Sequence, residues 1–183
     1  MALHRGLGGA IGIGEESTWG TAVAAVRWMP GVAGSALSRK REVVTVDYLS
    51  SGGADCANLI DFATLSDRVA GSLQGPVIYN DPFITTLLKH AMGSVADAGA
   101  NPYTHTYTLA TALPTGLTVR QQNDTYQEVF EGCKVSRMQL VFEARKTSTW
   151  SADLIGETSG GTASTGTPSY SPSRLVSTGD HMG

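Results

Sequence analysis

The sequence predicts a mainly β domain of the sandwich or barrel type, with one flanking α-helix and long loops. Short segments in which apolar and polar side chains alternate recur along the chain, and turn-forming residues separate them. Charged residues make up only 16% of the 183 residues, whereas glycine occurs 22 times, and this balance fits short strands joined by exposed loops. A single segment carries the periodicity of a helix.

The first half of the chain predicts four strands. Residues 10–16 and 26–29 are short apolar-rich pieces on either side of a turn-forming segment, so each predicts a strand. After a Gly/Ser-rich and then basic stretch, the β-branched residues of 42–48 predict a third strand, and residues 49–58 predict a loop. Within residues 68–75, Val69 and Leu73 share one face of a fourth strand.

Residues 82–92 predict the helix. Asn80 or Asp81 can cap it, Pro82 suits the first helical position, and Gly93 can end it. The spacing of its apolar residues defines one stripe, made of Phe83, Ile84, Leu87, Leu88 and Ala91. This stripe needs a surface to cover, and we expect the helix to lie on the sandwich.

The second half predicts further strands at residues 103–109 and 117–120, after a Gly/Ala/Asn-rich loop. A hairpin follows, with strands at 134–144 and 148–155 and a turn near Lys146 and Thr147. Side chains alternate along its first strand. One face consists of Met138, Leu140, Phe142 and Ala144, and the other consists of Arg137, Gln139, Val141 and Glu143. The second face is mostly polar, so we expect it to meet solvent or a neighbouring subunit.

The composition divides the chain into two parts. Residues 1–156 carry all the predicted strands and the helix, and they predict one β domain. Residues 157–183 begin with Gly, Ser, Thr, Ala and Pro almost throughout, which is typical of a flexible linker or C-terminal arm. Two interpretations stay open: the C-terminal segment docks on a neighbour, or it leads to a second half that is absent from this sequence.

Several classes of function have no support in the residues. A net charge of −3 gives no basic footprint for sequence-specific DNA binding. The glycines near the N-terminus do not form a dinucleotide-binding motif, the four histidines are scattered, and no nucleophile motif is present. We therefore expect no enzyme activity, no cofactor and no metal. We also expect neither a secretory signal nor a membrane span.

Five segments, in their order along the chain, resemble the tail tube (major tail) proteins of siphophages. They are residues 12–22 (GIGEESTWGTA), 87–93 (LLKHAMG), 103–109 (YTHTYTL), 113–119 (LPTGLTV) and 130–136 (FEGCKVS), the last running into the long hairpin. The resemblance spans residues 11–156. It rests on the combination and order of these segments, since none of them carries catalysis.

The resemblance implies a tail tube fold and a structural virion protein. In that family six domains form a ring, rings stack into a hollow tube, and DNA is ejected through its lumen. Implied partners are further copies of the chain, the tape measure protein, the tail terminator, and the distal tail or baseplate proteins. Implied locations are the host bacterial cytoplasm during assembly and then the virion. A hexamer and a trimer of two-domain chains both fit.

Contact residues follow from the resemblance together with the residue pattern. Arg39, Lys40 and Arg41 form the only basic run, and it is either a solvated loop or a ring-to-ring contact. The mostly polar face of the hairpin is a second candidate interface. Trp19 is either a core residue or an anchor between subunits.

A different function stays open as the alternative. A decoration or adhesin-like module of a virion would also be a β-sandwich, binding a surface ligand through its loops. Such a module would remain monomeric or form small oligomers, which distinguishes it from a tube subunit.

Overall fold

Ten β-strands and one α-helix form the part of the chain that the computed structural model describes, which is residues 9–47, 60–78, 81–100, 104–123, 126–163 and 168–170. In chain order the elements are β1 Ala10–Glu16, β2 Arg27–Pro30, β3 Ala36–Asp47, β4 Ile60–Pro76, α1 Pro82–Met92, β5 Gly93–Ala98, β6 Thr104–Leu109, β7 Gly116–Asn123, β8 Tyr126–Val141, β9 Thr149–Gly156 and β10 Thr158–Ala163. The predicted mainly β class with one helix is confirmed.

Strand β8 is shared between two antiparallel sheets. Its first half pairs with β7 on one side and with β10 on the other, in a sheet that continues through β1 to β2. Its second half pairs with β9, in a sheet that continues through β4 to β3. Gly132, with φ of +62°, lies where β8 passes from one sheet to the other, a backbone conformation that favours glycine.

The core lies between the two sheets and under the helix. Alternate residues of β9 and β4 point into it, and these are Val69, Leu73, Trp150, Ala152 and Leu154. From the other sheet come Ile11, Ile13, Leu117, Val119 and Phe130. The helix adds Phe83, Ile84 and Leu87, and the ring centroids of Phe83 and Trp150 are 5.9 Å apart.

The helix begins and ends as predicted. The side chain of Asp81 accepts a hydrogen bond from the backbone N–H of Phe83 at 2.9 Å, and Pro82 occupies the first turn. Gly93 ends the helix with φ of +105°, and its N–H donates to the carbonyl of Lys89.

The alternating glycines and isoleucines of β1 have separate roles. Ile11 and Ile13 point into the core, whereas Gly12 and Gly14 face the segment of residues 20–26 that crosses the other side of the sheet. A Cβ atom on Gly14 would lie 2.4 Å from the carbonyl oxygen of Ala24. The glycines therefore let this segment lie directly on the sheet.

Four expectations about element boundaries need correction. The Gly/Ala/Asn-rich loop contains β5, which pairs with β6 along its whole length. The basic run lies inside β3 and not in a loop. Strand β8 ends at Val141, so Glu143 follows the strand. The predicted linker begins with β10, which pairs with β8, while residues 164–167 and 171–183 lie outside the described residues, as does the loop expected at 49–58.

We predict that Gly14→Ala lowers the free energy of unfolding by about 1–3 kcal/mol, because the added methyl group overpacks the contact with Ala24. Chemical denaturation measures the change. Gly160→Ala is the matched control: a Cβ atom there meets nothing within 4 Å, and we expect a change within about 0.5 kcal/mol. Equal effects of the two substitutions would contradict the proposed role of Gly14.

His90 is a buried titratable group on the inner face of α1. Its side chain is 1% exposed, its Nε2 lies 3.9 Å from a carboxylate oxygen of Glu15, and neither ring nitrogen has a hydrogen-bond partner among the described residues. Burial lowers the pKa of His90 to about 4, although the charge of Glu15 opposes the shift. The folded protein therefore holds a neutral imidazole.

We predict that stability falls as the pH drops from about 6.5 to about 4, because the unfolded chain binds the His90 proton first and the folded chain binds it only near pH 4. The loss approaches about 3 kcal/mol at the lower limit. His90→Leu should remove most of this pH dependence in urea titrations. His105→Gln, which changes an exposed imidazole, should retain it, and the opposite pattern would refute the assignment.

Candidate assembly interface

The four-stranded sheet β8-β9-β4-β3 has two edges without a partner strand in the described ranges. One edge is residues 135–141 of β8, which pair with β9 on one side and have no strand on the other. The second edge is β3, which pairs with β4 and with no other described strand. At one position on this edge the side chain of Gln121 binds the backbone, since it accepts a hydrogen bond from the N–H of Leu37 and donates one to its carbonyl. Unpaired N–H and C=O groups along such edges are sites where another chain can add a strand.

The sheet face that points away from the core is mostly polar. Across β4, β9 and β8 it consists of Ala70, Ser72, Gln74, Thr149, Ser151, Asp153, Ile155, Arg137, Gln139 and Val141, as the strand registers and the buried alternate residues require, and Ile155 is 53% exposed. We call it the open face. Three of the four hairpin residues predicted for an interface lie on it, and Glu143 does not.

Residues 39–47 of β3 pair with residues 60–69 of β4. The pairing of β4 with β9 ends at Val69, so from there to residue 60 the two strands form a two-stranded ribbon, which we call the arm. The arm carries exposed aliphatic side chains at Val43, Val44 and Leu65, the last 62% exposed. A two-stranded ribbon is marginally stable alone in water. Its length and its exposed apolar residues therefore make the arm a candidate surface for contact with another chain.

The basic run divides between the two faces of the arm. Arg39 and Arg41 both contact the carboxylate of Asp67 across the ribbon, and Arg41 does so at 3.3 Å. The hydrogen bond from Arg39 is the main cause that lowers the pKa of Asp67 to about 2. Lys40 points to the other side, where its cross-strand partner is Arg68.

The free end of β8 exposes apolar residues that were expected in the core. Met138 packs against the core, but Leu140 is 38% exposed and Phe142, just past the strand, is 60% exposed. The apolar face predicted for the hairpin from alternation thus continues past the end of the domain's own core. Glu143 forms an ion pair with Lys146 in the turn that follows.

Trp19 packs against its own chain on one side and is 44% exposed on the other. Its ring lies close to Gly116 and Gly132, and the ammonium of Lys134 lies 5.2 Å from its centroid. Glu16, which is buried, accepts hydrogen bonds from the N–H groups of Gly20 and Gly132 and from the Thr118 hydroxyl. Trp19 is therefore neither a core residue nor a free anchor, and its role in a subunit contact stays a prediction.

The structure thus brings only part of the predicted set together. Lys40, Arg137, Gln139 and Val141 share one side of the four-stranded sheet and its arm, whereas Arg39 and Arg41 lie on the opposite side. Sequence reasoning missed Asp67 and Arg68. The alternation recognised at Val69 and Leu73 could have predicted that Asp67 and Arg68 lie on opposite faces of β4. It could not predict which residues of the basic run they face, because that depends on the register of β3 against β4.

The described residues contain no group of three or more His, Cys, Asp or Glu side chains arranged to hold a metal ion. Among the elements described, no helix has both the length and the apolar character to cross a membrane. Cys133 is a free, buried thiol, and burial raises its pKa to about 12.

Comparisons with known proteins agree on one architecture. A family model described as phage tail tube protein matches residues 6–182. A chain in the cryo-EM structure of the anti-feeding prophage baseplate superposes with a TM-score of 0.50 and 10% identity, covering 88% of this chain and 95% of that one. A chain in the virion of a native gene transfer agent particle gives 0.52 and 10%, covering 89% and 100%. No curated protein matches the chain significantly.

Proposed function

This chain belongs to the phage tail tube protein family, and on that basis we propose that it is a structural, non-enzymatic virion protein that assembles with copies of itself into the wall of a hollow tail tube. The observation that carries the proposal is the pair of edges on the four-stranded sheet that have no partner strand among the described residues. They allow one copy to continue the sheet of the next.

The number of strands in this sheet determines how neighbours join. Four successive antiparallel strands leave β3 and β8 running in opposite directions, so the β3 edge of one copy meets the β8 edge of the next as a further antiparallel pair. The two edges are different surfaces. Repeating the contact therefore generates a ring, provided that the rotation closes.

We propose six domains per ring, as either six chains or three two-domain chains. Six such sheets would close a barrel of roughly 24 strands, and at about 4.8 Å between strands its backbone diameter is at least about 37 Å. The other sheet and the helix lie on the core side, so this bulk belongs outside the barrel. The open face then lines the lumen.

The composition of the open face fits a channel for passage. One central row, Gln74–Ser151–Gln139, carries uncharged polar side chains, and in the next row Ser72 lies beside the oppositely charged Asp153 and Arg137. Such a lining stays hydrated and offers no base-specific contacts. DNA would move through it during ejection without sequence recognition.

The arm is the proposed contact between rings. It projects past the end of the four-stranded sheet along the strand direction, and Arg39 and Arg41 with the exposed aliphatic residues lie on it. In a stacked tube this direction leads to the next ring. Covering Val43, Val44 and Leu65 there would contribute burial that the isolated domain lacks.

Further partners follow from the family. We propose the tail terminator at one end of the tube, the distal tail or baseplate proteins at the other, and the tape measure protein in the lumen. Assembly takes place in the host bacterial cytoplasm and the product resides in the virion of a siphophage.

Negative-stain electron microscopy of the purified chain over a concentration series tests the proposal. We expect rings and hollow tubes that increase with concentration, and end views with six densities. Class averages with three-fold symmetry would indicate paired domains. Uniformly small particles at every concentration would argue against self-assembly and favour a monomeric binding module.

We predict that the triple substitution R39E/K40E/R41E impairs stacking of rings. It reverses the charge of the basic run, and it replaces the ion pairs of Arg39 and Arg41 with Asp67 by repulsion between carboxylates. Short stacks or single rings should replace long tubes, as measured by length distributions in micrographs. R39E combined with D67R keeps an ion pair within the arm and is the control for arm folding. Tubes of unchanged length and unchanged salt dependence in the triple variant would refute the stacking role.

A further inference from the structure

The side chain of Gln121 occupies one position on the β3 edge of the four-stranded sheet. Gln121 lies on β7 and points to the core side of its own sheet, in the same row as Ile11 and Glu128. Its amide oxygen accepts a hydrogen bond from the N–H of Leu37 at 3.0 Å, and its amide nitrogen donates one to the carbonyl of Leu37 at 2.9 Å. One side chain thus satisfies both backbone groups of a residue in β3.

The backbone groups of Leu37 point away from β4. Leu37 pairs with Gly71, and a Cβ atom on Gly71 would lie 2.6 Å from the Cα of Leu37. The two Cα atoms are therefore closer than the about 5.5 Å of a hydrogen-bonded antiparallel pair, and this pair is of the narrow, non-hydrogen-bonded kind. The N–H and C=O of Leu37 face the edge where a further strand would bind, and the amide of Gln121 takes the place of that strand.

Beyond Leu37 the edge of β3 is open along the arm. The backbone groups of an antiparallel strand alternate in direction, so those of Arg39 and Arg41 point to the same side as those of Leu37. No side chain of another described residue bonds to the backbone of either arginine, and their guanidinium groups contact Asp67. The first position at which a further strand can bond is therefore Arg39.

A second copy cannot join this edge straight across. Two neighbouring rows run from the β8 edge to the β3 edge, Arg137–Asp153–Ser72–Ala36 and Val135–Leu154–Gly71–Leu37. If these rows continued unchanged into the neighbour, residue 135 of its β8 would lie beside Leu37, at the position that Gln121 occupies. Residues 138–141 would lie beside the segment before Ala36, where β3 has not yet begun.

We propose that Gln121 directs the β8 edge of a second copy to the arm, so that pairing starts at Arg39 and neighbouring subunits are staggered along their strands. The inference rests on the proposed function, in which the β3 and β8 edges of two copies meet. A closed barrel requires a staggered register and tilted strands, and the occupied position at Leu37 imposes a stagger in one direction. Residues 135–141 are fewer than residues 39–47, so the far end of the arm stays available to the next ring.

Exposed apolar residues of the two edges fit this placement. Leu140 lies on the core side of β8 and Phe142 follows the strand, and both are exposed. On β3 the same side of the sheet carries Arg39, Arg41 and, by alternation, exposed Val43. A staggered neighbour brings Leu140 and Phe142 beside these residues, where the valine and the aliphatic stems of the arginines cover them. A second copy therefore supplies both backbone groups and apolar side chains to this edge.

Disulfide mapping in assembled tubes locates the added strand. In a C56S background that retains the buried Cys133, copies with Q139C are mixed with copies that carry one cysteine on the open-face side of β3. The tested substitutions are A36C, S38C, K40C, E42C and V44C. A disulfide requires Cβ atoms about 3.5–4.5 Å apart, so its yield reports the register. We expect the highest yield at K40C, E42C or V44C, and yields about tenfold lower at A36C and S38C, which corresponds to two ordinary hydrogen bonds.

Q121A tests the role of the amide directly. Without it the backbone of Leu37 is open to an incoming strand, and we expect the yield at S38C to rise about tenfold relative to the favoured arm position. Q122A is the matched control, because it removes the same side chain one position along β7, where alternation places it on the opposite face. It should keep the wild-type pattern.

High yields at A36C or S38C in the presence of Gln121 would show that the neighbour displaces the amide, and they would overturn the inference. An unchanged pattern in Q121A would overturn it as well. If Q121A forms no tubes, Q121E takes its place, because a carboxylate accepts from the N–H of Leu37 but cannot donate to the carbonyl. The same rise at S38C is expected, and failure of both variants to assemble would assign Gln121 to folding and refute its role in the register.

Failure of the proposed function gives a different result. Absence of both tubes and intermolecular disulfides from the chain with Gln121 would contradict self-assembly itself. Tubes without a disulfide at any of the tested positions would contradict the pairing of β3 with β8, and with it this inference, while self-assembly would stand.

Discussion

The fold depends on one constraint, which is that a single strand belongs to two sheets. Among the described strands, β8 has partners on both sides in its first half and on one side in its second half. The left-handed backbone of Gly132 marks the transition, and a side chain there would meet Glu157 and Trp19. The second half of β8 leaves one edge of the four-stranded sheet open, whereas its first half stabilises the sandwich by pairing with β7 and β10. The proposed assembly depends on this open edge.

A second constraint supports the first from the N-terminal side. The segment after β1 covers a sheet face that would otherwise be exposed, and the alternation of glycine with isoleucine makes room for it. Buried Glu16 then holds this segment to Thr118 and to Gly132 of β8. Three parts of the chain that are distant in sequence are thus joined at the position where β8 changes sheets.

Local chemistry was sufficient to predict some elements from the sequence. The helix followed from Asp81, Pro82 and Gly93, whose effects act within a few residues. Strand β10 was not predictable in this way, because its Gly, Ser and Thr residues form a strand only through backbone pairing with β8. The two faces of the basic run also required a long-range register, since Asp67 and Arg68 are far from Arg39 and Lys40 in sequence.

The two ends of the domain along the strand direction are unlike. The arm begins at one end of the sheet, where Val69 of β4 pairs with Gly156 of β9. The β8–β9 turn lies at the opposite end, where Pro76 of β4 pairs with Thr149 of β9. Copies related by rotation about the tube axis and translation along it keep this difference, so a filament built in this way has two ends with distinct chemistry. Growth, termination and attachment can therefore be directional from the geometry of a single chain.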